Sequence, residues 1–357
     1  MAALRPPRCS LIHGAAGVCF ALTRLARLTG DSVALACAER WLAAAEAAQH
    51  APGAFDHGDD EPPAAATDAD VSPFHAASGL AAMRAFLSYA TGDRRRQQAA
   101  LDDFRRVTQA PCANVDLTLG RSAVLLFAAL LLADAEPGWP AAERLERHGD
   151  ELSLGIWRDL ATKGMGYLGI AHGWAGVAYA SMMWARVRGV PPPPAVPDVL
   201  AMLAAAAMPF EDSEWWPLTA ADGPGGDQFW PGWCHGTAGY VFLWNLAHAL
   251  YGDDDYAVRA EHAARTLGQP AQVDNLCCGS AGQAYAALNQ HRSTGEARWH
   301  SLAISIANQD APSQWSLGDT PRPLSLYRGK LGLALLAVEL ERPELAAMPL
   351  FEFERHV

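Results

Sequence analysis

Charge is scarce in this 357-residue chain, and positive charge is scarcer than negative. Only 18% of residues are charged, with 27 basic against 39 acidic, a formal balance of −12. An acidic chain without a basic cluster is a poor partner for nucleic acid or an anionic membrane. Long apolar runs are missing too: Ala123–Ala133 has about half the length needed to span a bilayer. The opening Met1-Ala2-Ala3-Leu4-Arg5 lacks the apolar stretch and cleavage pattern of a signal peptide. Seven cysteines, an odd number without an export signal, argue against a disulfide framework. Half of the residues are apolar, which excludes disorder as the default state and lets the chain bury a sizeable core. A cytoplasmic enzyme or binding protein is left.

What the sequence has in plenty is repetition. Seven segments share a short turn ending in glycine, followed at once by an alanine-rich apolar helix. They begin at Leu11, Pro73, Leu117, Ile170, Trp233, Leu276 and Leu326, 43 to 63 residues apart, room for two helices and their loops. After each turn the pattern predicts a helix apolar nearly all round, as in Val177–Ala185 and Val241–Leu250. A more charged helix follows, as in Asp31–His50 and Asp93–Thr108. An all-round apolar helix is buried and an amphipathic one covers it. About seven inner/outer pairs, none able to bury its own face, close most economically into a ring. The expected fold is therefore all-α, an α/α toroid in a single domain over residues 1–357, with an open helical solenoid as the alternative.

Three stretches interrupt the helices. Gly53–Val71 holds six acidic residues and reads as a solvated, mobile insertion. Pro191–Pro194 is a stiff spacer between two helices. Phe210–Trp233 carries Trp215, Trp216, Phe229, Trp230 and Trp233, and forms either a packed lid or a peptide-binding mouth.

In a closed ring, equivalent turn positions converge at one rim. The residues just before Gly14 and its counterparts are His13, His75, Leu119, His172, His235, Cys278 and Arg328. One place earlier stand Ile12, Phe74, Thr118, Ala171, Cys234, Cys277 and Tyr327. Cys9, Cys19, Cys37 and Cys112 are scattered, and the three of them in alanine-rich apolar surroundings read as small hydrophobes. Cys234, Cys277 and Cys278 lie instead in turns of neighbouring repeats, at helix starts whose dipoles favour thiolates. Three thiols leave a fourth tetrahedral position open on zinc, the arrangement of a catalytic site.

These residues resemble a family, the lanthionine synthetase C-like (LanC-like) cyclases. Gly232-Trp233-Cys234-His235-Gly236 is similar to its Gly-Trp-Cys-x-Gly motif, and Cys277-Cys278-Gly279 to its Cys-His-Gly motif with Cys in the His place. Gly169-Ile170-Ala171-His172-Gly173-Trp174-Ala175-Gly176 is similar to its Gly-x-Ala-His-Gly-x-x-Gly motif, and Asp116-Leu117-Thr118-Leu119-Gly120 more loosely to its Asp-containing segment. The resemblance implies an α/α toroid, a zinc ion, and addition of a peptide cysteine to dehydroalanine or dehydrobutyrine, giving (methyl)lanthionine rings in lanthipeptide-type biosynthesis. Cys278 departs from the family's histidine ligand, so the metal site expected here is Cys234, Cys277 and Cys278.

The addition leaves an enolate that needs a proton at Cα, and His172 is the best candidate acid. Asp116 either orients an imidazole or caps the helix that follows it. His235 and Trp233, next to a metal ligand, are expected to support it or face substrate. Arg328 and Lys330 are rim charges or peptide contacts. For His13 and His75 a packing or capping role is expected. With no kinase, lyase or dehydratase region, the chain is expected to depend on a separate dehydratase or kinase/lyase enzyme for its dehydrated precursor peptide, or to belong to a larger synthetase. Two alternatives are addition of an external thiol such as glutathione, and a non-catalytic peptide-binding partner of a modification complex. A toroidal glycosidase would need paired carboxylates at the rim, and the motifs offer only Asp116.

Overall fold

Five of the repeats enter their apolar helices through the same backbone turn. The first helical N–H has no side-chain cap and donates to a carbonyl seven residues upstream. The pairs are Ala15 to Arg8, Arg121 to Asn114, Trp174 to Tyr167, Thr237 to Trp230 and Ser280 to Val273. Folding the upstream strand over the helix start leaves no space for a side chain: a Cβ on Gly14 would lie 2.5 Å from the Arg8 carbonyl carbon. Steric closure of the turn explains the glycine that marks the repeats.

The computed structural model describes residues 4–56, 71–222, 230–271, 273–309 and 322–354. The helices that follow the motifs are α1 (Ala15–Thr29), α3 (Ser78–Ala90), α5 (Arg121–Ala133), α7 (Trp174–Arg188), α9 (Thr237–Tyr251), α11 (Ser280–Thr294) and α13 (Leu331–Glu339). Alternating with them are α2 (Ser32–Ala48), α4 (Arg94–Val107), α6 (Pro140–Lys163), α8 (Val196–Ala205), α10 (Asp254–Ala264) and α12 (Ala297–Ala307). Several of this second set start on an aspartate that accepts from first-turn N–H groups, Asp31 from Val33 at 2.8 Å and Asp93 from Arg96 at 2.9 Å. Side-chain caps suit helices whose starts face water. Seven apolar helices are present as expected. Among the described residues six amphipathic partners accompany them, because the chain after α13 runs in turns.

The chain divides into two compact units, Met1–Leu154 with Leu317–Leu335, and Gly155–Ser316 with Leu336–Val357. In the first, α1 packs on α3 and α3 on α5, with α2 and α4 against α1 and α3. In the second, α7 packs on α9 and α9 on α11, covered by α8, α10 and α12. A short antiparallel hairpin of β1 (Met208–Phe210) and β2 (Ser213–Trp215) lies against α10. Residues 57–70 of the acidic insertion, and Phe229, fall outside the described residues.

The motif turns are also bonded to one another, at the position one place before the pre-glycine residue. In the first unit Tyr327 N donates to Ile12 O at 3.4 Å, beside Leu326 N at 3.1 Å, and Ile12 N donates to Phe74 O at 3.1 Å. Ser72 Oγ continues the series to Thr118 O at 2.5 Å. The seventh motif thus returns to the first. An open solenoid would instead end on a capping repeat.

The tryptophan-rich stretch is packed at two positions. Trp216 is 1% exposed, stacks on Tyr240 at 4.0 Å and donates from Nε1 to Leu203 O at 2.8 Å. Trp233 is equally buried, edge-on to Phe351 at 5.2 Å. Trp215 and Trp230 are half-buried. Cys9 and Cys19 are buried, and burial pushes the Cys19 thiol up to about 12, the behaviour of an inert core residue.

Candidate metal centre

The second unit carries its own turn-to-turn series, and it assembles the thiols. Ala171 N donates to Cys234 O at 2.8 Å, and Cys234 N to Cys277 O at 3.1 Å. The fifth and sixth turns therefore lie side by side with their cysteines at the same register. Close approach depends on Gly232, where a Cβ would stand 2.7 Å from Cys278 Cα. Asn275 fixes the sixth turn: its Oδ1 accepts from Cys278 N at 3.0 Å. Gly169 has the matching role in the preceding repeat, with a Cβ there 2.7 Å from His235 Cα.

Three sulfurs result. Cys234 Sγ is 3.5 Å from Cys278 Sγ, which is 3.5 Å from Cys277 Sγ, and all three lie within 4.8 Å of one another. Zinc–thiolate bonds of about 2.3 Å at tetrahedral angles separate sulfurs by roughly 3.8 Å, so the donor set fits a zinc ion without rearrangement. Cys234 is buried while Cys277 and Cys278 are partly exposed, leaving an open side to the cluster. The adjacent Cys277 and Cys278 thiols, and then burial, hold the Cys234 thiol well above its ordinary range. A divalent cation among the three sulfurs reverses that preference and favours thiolates.

Next to the cluster is a row of aromatic rings. His172 and His235 have ring centroids 5.5 Å apart, and Tyr167 lies 5.9 Å from His235. Both imidazoles are partly exposed. Trp233 is not exposed; it packs beneath the Cys234 turn, against Phe351 and beside Gly282.

Asp116 and Arg328 belong to the first unit. Asp116 is 7% exposed, and its Oδ1 accepts from Thr118 N at 2.9 Å and Leu119 N at 2.6 Å. Ser10, Asn275 and Ser325 occupy the same place in their repeats. Each accepts from the N–H of the pre-glycine residue: His13, Cys278 and Arg328. Asp116 thus has the turn-holding role that its sequence position allows. His13 Nδ1 is 3.1 Å from Ser325 Oγ and its ring sits edge-on to His75 at 6.2 Å, the packing role expected for that pair.

Sequence reasoning missed Asn275, the steric role of Gly232, and Phe351. A signal for the first existed: a small polar residue four places before the glycine in several repeats. Phe351 had none, because its ring contacts are all distant in sequence.

Compared with known proteins, the chain matches the model of the lanthionine synthetase C-like protein family over residues 5–353. It belongs to that family. Its structure is similar to that of nisin cyclase, with a TM-score of 0.68 over 94% of this chain and 89% of that one, at 15% identity. That likeness concerns the fold, all-α of the α/α-toroid class. A stretch of 130 residues is 27% identical to glutathione S-transferase LANCL1 of Danio rerio, covering 34% of this chain and 31% of that relative's length. Among the described residues, no helix is long and apolar enough to cross a membrane.

Proposed function

We propose that the chain is a zinc-dependent peptide cyclase, closing thioether rings by adding cysteine thiols to dehydroalanine or dehydrobutyrine of a dehydrated precursor peptide. The observation that carries the reading is the three-sulfur cluster at the family's ligand turns, open on one side. Cys234, Cys277 and Cys278 would hold the ion, which when bound supplies a Lewis acid that favours the thiolate of the peptide cysteine.

The rest of the work falls to the chain. The substrate sulfur bonds to the β-carbon as the C=C π pair moves onto Cα and its carbonyl, and a proton then reaches Cα. One S–H adds across one C=C and no oxidant is required. His172 is assigned as the acid at Cα, with His235 beside it to relay or restore the proton. Asp116 is assigned to assist with deprotonation while it braces its own turn. Arg328 is left to contact the peptide. A cytoplasmic location and supply of the peptide by a separate dehydratase or kinase/lyase belong to the same proposal.

The test uses a synthetic peptide carrying one dehydroalanine and one cysteine. Ring closure leaves its mass unchanged but removes its reaction with N-ethylmaleimide. Loss of alkylation supports the reading; full alkylation after incubation with zinc-loaded protein contradicts it. The partial likeness to a protein named glutathione S-transferase gives a second reading, addition of an external thiol. A peptide that gains the mass of one glutathione would select it.

A further inference from the structure

The second unit has a cavity away from its thiols. It opens at the C-terminal ends of α7, α9 and α11, with a volume of about 400 Å³. Ala249, on its rim, lies twelve residues along α9 from Thr237, roughly 18 Å at 1.5 Å per residue. The size is that of a small-molecule or side-chain pocket.

Its polar lining has been almost fully paired, and the pairing shows what is left over. Glu352 Oε1 accepts from Arg292 Nη2 at 2.5 Å and from Asn289 Nδ2 at 2.7 Å, and Oε2 accepts from Met348 N at 2.8 Å. Asn245 Nδ2 donates to Asn289 Oδ1 at 2.7 Å and to Gln290 Oε1 at 2.8 Å. The one carboxylate is thus saturated. Arg292, only 7% exposed, is committed to that carboxylate, and its Nη1 is closed off from the cavity. Arg186, exposed at the mouth, lies over the Phe353 ring at 5.9 Å and has no carboxylate partner among the described residues. Tyr179, Met183, Phe242 and Leu246 supply apolar wall between them. The cavity therefore offers surplus donors and positive charge beside an apolar surface.

We propose that this cavity binds a carboxylate borne on an apolar group. A guanidinium fork matches a carboxylate in shape as well as charge, and Arg186 provides one at the mouth. The carboxylate comes either from a small organic acid or from a peptide. The proposal is independent of the cyclase reading, since none of these residues is a thiol ligand or a motif histidine.

Calorimetric titration of the full chain with 3-phenylpropionate and with its neutral amide tests the site. Saturable binding of the acid, at least about tenfold tighter than the amide, is expected from a charge-assisted contact. Arg186→Gln should weaken the acid about tenfold. Ala249→Trp, at an exposed position, should block the mouth and abolish binding; neither variant should alter zinc content. N-acetyl-Ala-Phe with a free C-terminus should bind at least as tightly as the small acid if a peptide is the source, and more weakly if it is an organic acid. Equal binding of acid and amide would overturn the proposal. So would absence of saturable binding, or acid binding that survives Ala249→Trp, which places it elsewhere.

Discussion

The two units build one turn and use it differently. Both stack their motifs through backbone bonds at the same register, Ile12 to Phe74 in the first and Cys234 to Cys277 in the second. In the first unit the register holds Ile12, Phe74 and Tyr327, and Phe74 and Tyr327 form a buried aromatic pair at 5.7 Å. Its histidine His13 is spent on Ser325 and on the His75 ring. In the second unit the register holds thiols, and His172 and His235 stand partly exposed beside them. The turn supplies a place where side chains of neighbouring repeats meet. Which residues stand there decides whether that place becomes core or chemistry.

Substitutions can break this contrast. Cys234→Ala removes the buried member of the cluster and should abolish ring closure, measured as persistent alkylation of the peptide thiol. His172→Asn should keep the metal and the fold yet slow closure by about a hundredfold or more, the usual worth of a positioned acid; wild-type turnover would return His172 to the role of His13. Gly232→Ala should push the Cys278 backbone away and lower zinc affinity by about 10- to 100-fold, as loss of a ligand's support does, read by competition with a chelator.

Cys278→His sharpens the contrast within the cluster. Three thiolates on a divalent ion carry a net charge of −1, whereas two thiolates and an imidazole are neutral. The more electron-rich set holds a substrate sulfur less tightly and leaves it more nucleophilic. The variant should retain zinc but turn over several-fold more slowly at saturating peptide. Equal or faster turnover would mean that the third cysteine does not raise reactivity. The smallest effect belongs to the first unit: His13→Gln should leave the rate unchanged and cost about 1 kcal/mol of stability through the Ser325 bond, measured by denaturant unfolding.

Much of this was legible in the sequence, for a physical reason. In six of the seven repeats the turn has glycine where the upstream chain folds back, so the repeats announce themselves, and the alanine-rich runs after them are too apolar to be anything but buried helices. The meeting of Cys234 with Cys277 and Cys278 followed from equivalent positions in neighbouring repeats. What was not legible depends on distant contacts. Phe351 follows Met348-Pro349-Leu350, which has no period. It is nevertheless fully buried, stacked on Tyr179 at 4.1 Å and edge-on to Phe242 at 5.3 Å and Trp233. Trp216 and Trp233 looked like mouth or lid from composition, and burial decides for packing at both. Asp116 gave two readings, and the hydrogen bonds to Thr118 N and Leu119 N establish the turn-holding one while leaving its chemistry to experiment.

Metal content tests the central claim most directly. Elemental analysis of protein purified without added metal should find about one zinc per chain, and the Cys277→Ala/Cys278→Ala double variant should find almost none, because one thiol cannot hold the ion. Full zinc occupancy in the double variant would contradict the account.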